Sequence, residues 1–335
     1  MSLQSDLVLN VSKLRPEAVS ESEKKLNDAV VTITEKGPQW FEVGAAKYRE
    51  MRENGQTALP KRVRLEEAKQ FCVPSREKGR DVPCRLIKPD HRGKVQGVFM
   101  HIHGGGWVLT TEKDQDPFLK KIANATNVAV VSIGYRLAPE HPFPRGPEDC
   151  YDAAEWLVDN AESELGAPVM FAGGESAGAH LTTLTTFHLL KTRPTFAFNA
   201  LILNFGVFDL SMLPFLRNIK RPLAVLNNKI VREFVNVFLP GKSPEECRDP
   251  TISPFYADLN SMELPSALFL CGTEDCLLED TIMMATRWQM AGAEAVMRLF
   301  PGALHGFLAF SPDQAVSAKE GMEIIKEFLK AKIGG

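Results

Sequence analysis

The chain has 335 residues, which is enough for two average domains or for one large α/β domain that carries insertions. Apolar residues make up 44% of it and charged residues 24%, a globular composition that argues against a wholly disordered or fibrous chain. The formal net charge of −3 lacks the basic excess usual in nucleic-acid and anionic-membrane binders, so we expect no nucleic-acid partner.

The pattern of apolar residues separates two kinds of region. Residues 1–60 look helical and polar, and we expect them to form an N-terminal cap segment. From about Leu65, short runs rich in Val, Ile, Leu and Phe alternate with stretches of helical period, which is typical of βαβ units and a mostly parallel sheet. Most of these runs read as strands buried on both faces. The predicted strands are 68–73, 82–87, 98–103, 128–133, 169–172, 200–203, 267–271 and 296–300.

Two connections depart from that alternation. The first two strands are joined by too few residues for a helical crossover, so we expect them to pair antiparallel at one edge of the sheet. Residues 206–250 form an apolar run punctuated by prolines, and a long insertion after a strand is more often a functional lid than a structureless loop. We therefore expect a core of residues 61–205 and 251–335, covered by a cap of residues 1–60 and 206–250.

The strongest motif is GESAG at residues 174–178, which follows a predicted strand and opens a helical stretch. It matches the G-x-S-x-G nucleophile elbow, in which a serine lies on a sharp strand-to-helix turn with a strained backbone. Side chains two residues before and two after Ser176 would collide with the neighbouring strand and helix, hence Gly174 and Gly178. The alternative, an ordinary glycine-rich turn, is disfavoured by the strand–turn–helix context.

A second motif, HGGGW at residues 103–107, follows the predicted strand 98–103. Three glycines allow the main chain to approach a substrate closely and to point N–H groups at one atom. In acyl transfer that atom is the carbonyl oxygen, which becomes an oxyanion in the tetrahedral intermediate. A plain turn rarely needs three glycines after a buried strand, so we favour the oxyanion interpretation.

Two further candidates follow later strands and complete a triad in the order Ser, Asp, His. Asp275 comes after the strand 267–271 and His305 after the strand 296–300, so both lie past carboxyl strand ends, where α/β proteins place their sites. In this interpretation His305 takes the proton of Ser176, and Asp275 orients the imidazole. Glu274 and Asp280 compete with Asp275 for the third role.

With these motifs in place, the sequence resembles the hormone-sensitive-lipase-like esterases, a family of the α/β-hydrolase fold. The resemblance covers about residues 60–330 and rests on five landmarks in family order. They are HGGGW at 103–107, YRLAPEHPFP at 135–144, GESAG at 174–178, the DP…SP pair at 249–250 and 253–254, and LHGF at 304–307.

The resemblance implies a carboxylic-ester hydrolase with a helical cap, without a cofactor or metal, acting on a small-molecule ester. It implies that the backbone N–H groups of Gly105, Gly106 and Ala177 form the oxyanion hole, with Gly104 shaping the turn, and that 135–139 supports the site. Glu175 stands where many relatives have Asp or Thr, and Gly134 where Asp is common. Those departures put the subfamily and substrate in question.

Other side chains of these segments receive less specific expectations. His101 is expected to be a hydrogen-bonded core residue and His103 a brace for the glycine loop, while His180 and His188 are expected to be structural. The basic residues of the insertion are interpreted as a solvated face, with attraction of an anionic or strongly polar ester as the less favoured alternative; they are Arg217, Lys220, Arg221, Lys229 and Arg232. The candidate substrate-pocket residues are Trp107, Phe208 and Phe215.

Three functions stay open. The first is hydrolysis of small or medium acyl esters through an acyl-enzyme on Ser176. The second is a related acyl hydrolase: an arylformamidase, another amidase or a deacetylase. The third is a non-catalytic small-molecule receptor of the same fold, which the presence of His305 disfavours.

The cysteines and the N-terminus bear on compartment and partners. Six cysteines without a C-x-x-C pair argue against a zinc site or a disulfide framework and fit free thiols in a reducing compartment. We find neither a secretory signal nor an apolar window of about 18 residues, so we expect a cytoplasmic protein without stable membrane insertion. A homodimer is left open.

Overall fold

The structure is a computed structural model that describes residues 8–34, 36–57, 62–91, 93–220, 223–311 and 313–334. The predicted boundary at residues 60 and 61 and the basic residue Arg221 lie outside the described residues. In the described part, the strands are β1 (Lys69–Pro74), β2 (Asp81–Ile87), β3 (Val98–Ile102), β4 (Ala129–Ile133), β5 (Val169–Glu175), β6 (Ala200–Asn204), β7 (Ser266–Glu274) and β8 (Ala295–Leu304). The α-helices are α1 (Glu21–Thr34), α2 (Trp40–Val43), α3 (Ala45–Glu53), α4 (Asp116–Thr126), α5 (Arg145–Leu165), α6 (Ala177–Thr192), α7 (Pro214–Asn218), α8 (Asn228–Phe238), α9 (Leu278–Met290) and α10 (Val316–Ala331).

The strands form one sheet in the order β1-β2-β4-β3-β5-β6-β7-β8. The pairs from β4 through to β8 are parallel, whereas β2 pairs antiparallel with both β1 and β4. The predicted antiparallel pair at one edge is confirmed. The expectation that most of the strands are buried is confirmed, and β1, at the edge of the sheet, is an exception with most of its residues exposed or half-buried.

The sheet separates two hydrophobic cores, and successive residues of a strand point into opposite ones. In β3, Val98, Met100 and Ile102 join the core under α5, α6 and α9. Phe99 joins the opposite core with residues of α4 and α10. Helices on both faces of a mostly parallel sheet are the α/β architecture that the strand–helix alternation predicts.

The described part of residues 1–60 divides between two places. Residues 8–34 lie along β8 and α10: Asn27 Nδ2 donates to the carbonyl of Gly302 at 2.8 Å, and Glu23 accepts from the N–H of Ser317 at 2.9 Å. They cover the edge strand β8, whose outer backbone would otherwise be free to pair. Further along the N-terminal segment, α2 contacts the insertion after β6: the ring of Trp40 stacks on that of Phe234 in α8, with 4.7 Å between the centroids.

The insertion after β6 contains α7 and α8. The apolar face of α8 is buried and consists of Ile230, Val231, Phe234, Val235 and Phe238. None of the helices in the described ranges is long and apolar enough to cross a membrane.

Candidate active site

Three strands of the sheet end one residue before a candidate catalytic residue. β5 ends at Glu175, before Ser176; β7 ends at Glu274, before Asp275; β8 ends at Leu304, before His305. Because β5 to β8 run parallel, their carboxyl ends meet at one edge of the sheet, the usual place for a site in this architecture.

Ser176 lies on a sharp turn between β5 and α6. Its φ is +56° and its ψ −117°, a conformation that is uncommon for a residue with a side chain and that neighbouring structure must hold in place. The Ser176 N–H donates to the carbonyl of Asn204 on the adjacent strand at 2.9 Å. The turn is therefore tied to β6 as well as to β5.

The two glycines of the elbow lie against backbone atoms. A Cβ at Gly174 would be 2.4 Å from the carbonyl oxygen of Ile102 and 2.5 Å from the carbonyl carbon of Gly178. A Cβ at Gly178 would be 2.0 Å from the carbonyl oxygen of Ile102 and 2.8 Å from the carbonyl of His103. These contacts are the collision with strand and helix that the motif predicts.

The side chains of the predicted triad form one hydrogen-bonded line. His305 Nε2 lies 3.0 Å from Ser176 Oγ, and His305 Nδ1 lies 2.8 Å from Asp275 Oδ2. Because an ionised carboxylate only accepts, Nδ1 carries the proton in this pair and Nε2 is free to accept from the hydroxyl. Asp275 is fully buried, and its Oδ1 accepts from the N–H of Leu277 at 2.8 Å. The structure brings the three residues together.

Of the acidic side chains that compete for the third role, Asp275 is the one bonded to the imidazole. Asp280 is equally buried, but its Oδ1 accepts from the N–H groups of Phe208 and Asp209, at 2.8 and 3.0 Å. Its Oδ2 has no hydrogen-bond partner among the described residues. Its hydrogen bonds therefore hold the start of the insertion and not the imidazole. Burial raises the pKa of Asp280 to about 7.

The glycine loop after β3 is held from below by side chains. Thr110 Oγ1 donates to the carbonyl of Gly104 at 2.6 Å, and Tyr135 Oη lies 3.0 Å from the carbonyl of His103. His103 Nδ1 lies 2.9 Å from Thr110 Oγ1, and burial lowers the pKa of His103 to about 3, so its ring is neutral at neutral pH. The structure places both supports, His103 and Tyr135, where the sequence expects them.

The amides proposed for the oxyanion hole come from this loop and from α6. Gly105 and Gly106 have φ of +89° and +61°, and among the described residues their N–H groups donate to no backbone carbonyl. Ala177 is the first residue of α6, where an N–H has no acceptor within the helix. Gly104 packs against the elbow, because a Cβ there would be 2.6 Å from the carbonyl oxygen of Glu175.

The candidate pocket residues differ in exposure. Phe208 is fully buried and packs on Phe269 with 6.1 Å between ring centroids, and Trp107 is 2% exposed. Packing covers both of these rings, and their contact with a substrate stays a prediction. Phe215, in α7, is half-buried, and its contact with a substrate stays a prediction.

Trp107 instead joins the glycine loop to the insertion and to α6. Its ring stacks on Phe238 of α8 at 4.5 Å between centroids, and its Nε1–H donates to His180 Nδ1 at 3.2 Å. One turn earlier in α8, the ring of Phe234 lies 2.4 Å from where a Cβ of Gly106 would be. The sequence places these phenylalanines in the apolar run 206–250 but does not predict that they lie at the site; their spacing of four residues, typical of one helix face, is the signal that points to a shared contact.

Glu175 belongs to a buried polar cluster beneath the elbow. Its Oε2 lies 3.0 Å from His101 Nε2 and accepts from Gln115 Nε2 at 2.9 Å. His101 Nδ1 lies 2.8 Å from Ser132 Oγ. The expectation of a hydrogen-bonded core histidine at position 101 is confirmed, and Glu175 is its partner.

No group of three or more His, Cys, Asp or Glu in the described part of the chain is arranged to hold a metal ion.

Comparison with known proteins adds the family. A family model described as alpha/beta hydrolase fold matches residues 99–309. The chain is 30% identical over 259 residues to Carboxylesterase NlhH of Mycobacterium tuberculosis, which covers 75% of this chain and 80% of that protein. A stretch of 96 residues, 28% of this chain and 12% of that protein, is 40% identical to hormone-sensitive lipase of Mus musculus.

A solved structure is similar over almost the whole length. An esterase from the archaeon Pyrobaculum calidifontis matches with a TM-score of 0.72 at 24% identity, covering 96% of this chain and 97% of that one, which is a likeness of fold. The resemblance that the motifs indicate is therefore confirmed. The chain belongs to the α/β-hydrolase fold family, with the hormone-sensitive-lipase-like esterases as its relatives.

Proposed function

We propose that this protein hydrolyses carboxylic esters of small to medium acyl chain through an acyl-enzyme on Ser176. The observation that carries the proposal is the hydrogen-bonded line from Asp275 through His305 to Ser176, at 2.8 and 3.0 Å. The name of the relative NlhH, a carboxylesterase, supports an ester as the substrate.

In acylation, Ser176 Oγ attacks the ester carbonyl while His305 Nε2 takes its proton. The imidazolium that forms keeps its Nδ1–H bond to the buried Asp275, whose negative charge stabilises it. His305 then returns the proton to the leaving alcohol. In deacylation, His305 activates a water in the same way, and the attack of that water on the acyl-enzyme regenerates Ser176.

The negative charge that develops on the carbonyl oxygen needs donors that are already in place. The N–H groups of Gly105, Gly106 and Ala177 serve this purpose in the proposal, and one such donor is worth roughly a hundred- to a thousandfold in kcat. The glycine loop is supported by Thr110 and Tyr135, so the amides need little reorganisation during the reaction.

The limit on acyl size follows from the elements above the glycine loop. Phe234 lies against Gly106 and is stacked on Trp40, and both rings are almost fully buried. We assign residues 206–250 and the part of the N-terminal segment around Trp40 to a cap over the core. A cap packed this closely on the loop favours short acyl groups over long ones.

The test uses p-nitrophenyl acetate, butyrate and octanoate with the wild type and Ser176→Ala. We expect the wild type to hydrolyse acetate and butyrate with higher kcat/KM than octanoate. Ser176→Ala should lose at least about a thousandfold in kcat, because the nucleophile is gone. Ser163→Ala, at an exposed serine of α5, is the matched control and should keep wild-type activity. Undiminished turnover by Ser176→Ala would refute the proposal.

Two further measurements separate the alternative functions. An ester and an anilide with the same acyl group test whether the protein prefers an alcohol or an amine as the leaving group. A higher kcat/KM for the anilide would favour an amidase. A fluorophosphonate probe should label Ser176 in the folded wild type. Folded protein that neither labels nor turns over any substrate would indicate a receptor.

A further inference from the structure

Phe205, the residue after β6, has an unusual backbone. Its φ is +37°, and it is 3% exposed. A bulky residue at positive φ is a conformational outlier that persists only when the surroundings enforce it. The positive φ is therefore at Phe205, although a glycine, Gly206, is the next residue of the chain.

The strained residue is fixed between the elements that carry the triad. Its N–H donates to the carbonyl of Leu270 in β7 at 2.6 Å. The residue before it, Asn204, accepts the N–H of Ser176 at 2.9 Å. The backbone around Phe205 therefore touches both the nucleophile turn and the strand that leads to Asp275.

The ring of Phe205 lies against the catalytic imidazole. Its centroid is 5.1 Å from that of His305, with 72° between the ring planes, an edge-to-face contact. On its other side, Phe205 contacts Phe307 at 5.7 Å, which in turn packs on Phe300 at 4.8 Å. A buried aromatic row thus backs His305.

We propose that Phe205 is a positioning residue for His305, and that its strained backbone serves to place its ring against the imidazole. The hydrogen bond to Asp275 leaves the His305 ring free to tilt about that bond, whereas a ring packed against it restricts the tilt. His305 Nε2 is thereby held towards Ser176 Oγ. This role rests on the proposed function, because it acts through His305.

The contact also explains why the strain is retained. A side chain that only filled the core could do so from an ordinary backbone conformation. Here the turn must satisfy two backbone hydrogen bonds, from Ser176 and to Leu270, and still direct a ring at His305. The outlier therefore lies at the point where these requirements meet.

The test compares Phe205→Leu, which removes the ring, with Phe205→Tyr, which keeps it. We expect Phe205→Leu to lower kcat for p-nitrophenyl butyrate about ten- to hundredfold with KM changed less than about twofold, because small misplacements of a catalytic group are costly. The acid limb of its pH profile of kcat/KM should also move, whereas Phe205→Tyr should stay within about threefold of the wild type.

Phe171→Leu is the matched control for packing loss, because Phe171 is fully buried in the same core and is not in ring contact with His305. The low-field NMR signal of the His305 Nδ1–H should shift in Phe205→Leu and not in Phe171→Leu. Two outcomes would overturn this inference, provided that the wild type is active. One is an unchanged kcat and pH profile in folded Phe205→Leu, and the other is an equal loss of kcat in Phe205→Leu and Phe171→Leu. Failure of the proposed function would instead show as a wild type without ester turnover.

Discussion

The elbow at Ser176 and the glycine loop after β3 are both glycine turns at the carboxyl ends of strands, yet different atoms surround their glycines. A Cβ at Gly174 or Gly178 would meet backbone atoms only, those of Ile102 in β3, of His103 and of the elbow itself. The atoms nearest to a Cβ at Gly105 or Gly106 belong to side chains, those of Thr110 and Phe234. Backbone atoms therefore shape the elbow, whereas side chains, one of them from the insertion after β6, help to shape the glycine loop.

The glycine loop contacts the insertion through stacked rings. Phe234 of α8 is sandwiched between Gly106 and Trp40, and Phe238, one turn further, stacks on Trp107. Since residues four apart lie on one face of a helix, a single face of α8 reaches both positions of the loop. If this loop supplies the oxyanion donors, as proposed, substitutions in α8 should alter kcat. A steric clash at the elbow should not be relieved by substitutions in α8.

The largest effect is expected at the elbow, from Gly178→Ala. The new Cβ would be 2.0 Å from the carbonyl oxygen of Ile102, and backbone cannot move aside as a side chain can. We expect a loss of about 3 kcal/mol or more in the free energy of unfolding and a fall in kcat/KM of about a thousandfold. Urea denaturation and p-nitrophenyl butyrate hydrolysis measure both. Near-normal activity would show that the elbow is softer than its contacts indicate.

A smaller, rescuable effect is expected from Gly106→Ala. The new methyl group would be 2.4 Å from the ring of Phe234, which is a side chain that a second mutation can remove. We expect a fall in kcat of about tenfold to a hundredfold, partly restored in the double variant Gly106→Ala/Phe234→Ala. Rescue should be incomplete, because alanine at a φ of +61° costs about 1–2 kcal/mol on its own.

The control for that cycle is Gly178→Ala/Phe234→Ala. If the elbow depends on backbone contacts alone, removing the Phe234 ring should restore nothing there. Equal rescue at both glycines would contradict the distinction between the two turns.

The smallest effect on activity is expected at Asp280, which holds the start of the insertion through the N–H groups of Phe208 and Asp209. Its folded-state pKa of about 7 lies above that of an unfolded aspartate, about 3.9. The folded state therefore binds a proton that the unfolded state has released, and the stability from this group is lost as pH rises from about 4 to about 7.

Asp280→Asn keeps an acceptor oxygen and cannot titrate. Between pH 5 and pH 8, the wild type should lose stability relative to this variant by an amount on the order of 3 kcal/mol, measured by urea denaturation at both pH values. The exposed Asp258→Asn should follow the wild type. Parallel pH dependence in wild type and Asp280→Asn would show that Asp280 titrates normally.

Much of the fold could be predicted because buried strands are recognisable in the sequence as short apolar runs. All eight predicted strands are present, but β5, β7 and β8 extend to Glu175, Glu274 and Leu304, beyond their predicted ends. In β5 the extension consists of Gly173, Gly174 and Glu175, residues with low strand propensity. Neighbouring strands hold them in the ladder, where Gly174 is paired with Ile102 and Leu203.

The sequence by itself determined the nucleophile turn, the glycine loop and the order of the acid and the histidine, because each depends on residue types next to a strand end. Tertiary structure alone decided that Asp275 bonds the imidazole while Asp280 anchors the insertion. It alone brought Phe205 to His305 and Phe234 to Gly106. Residue types and their local spacing can be read from the sequence. Contacts between groups on distant loops depend on how the whole sheet, its helices and the insertion pack together.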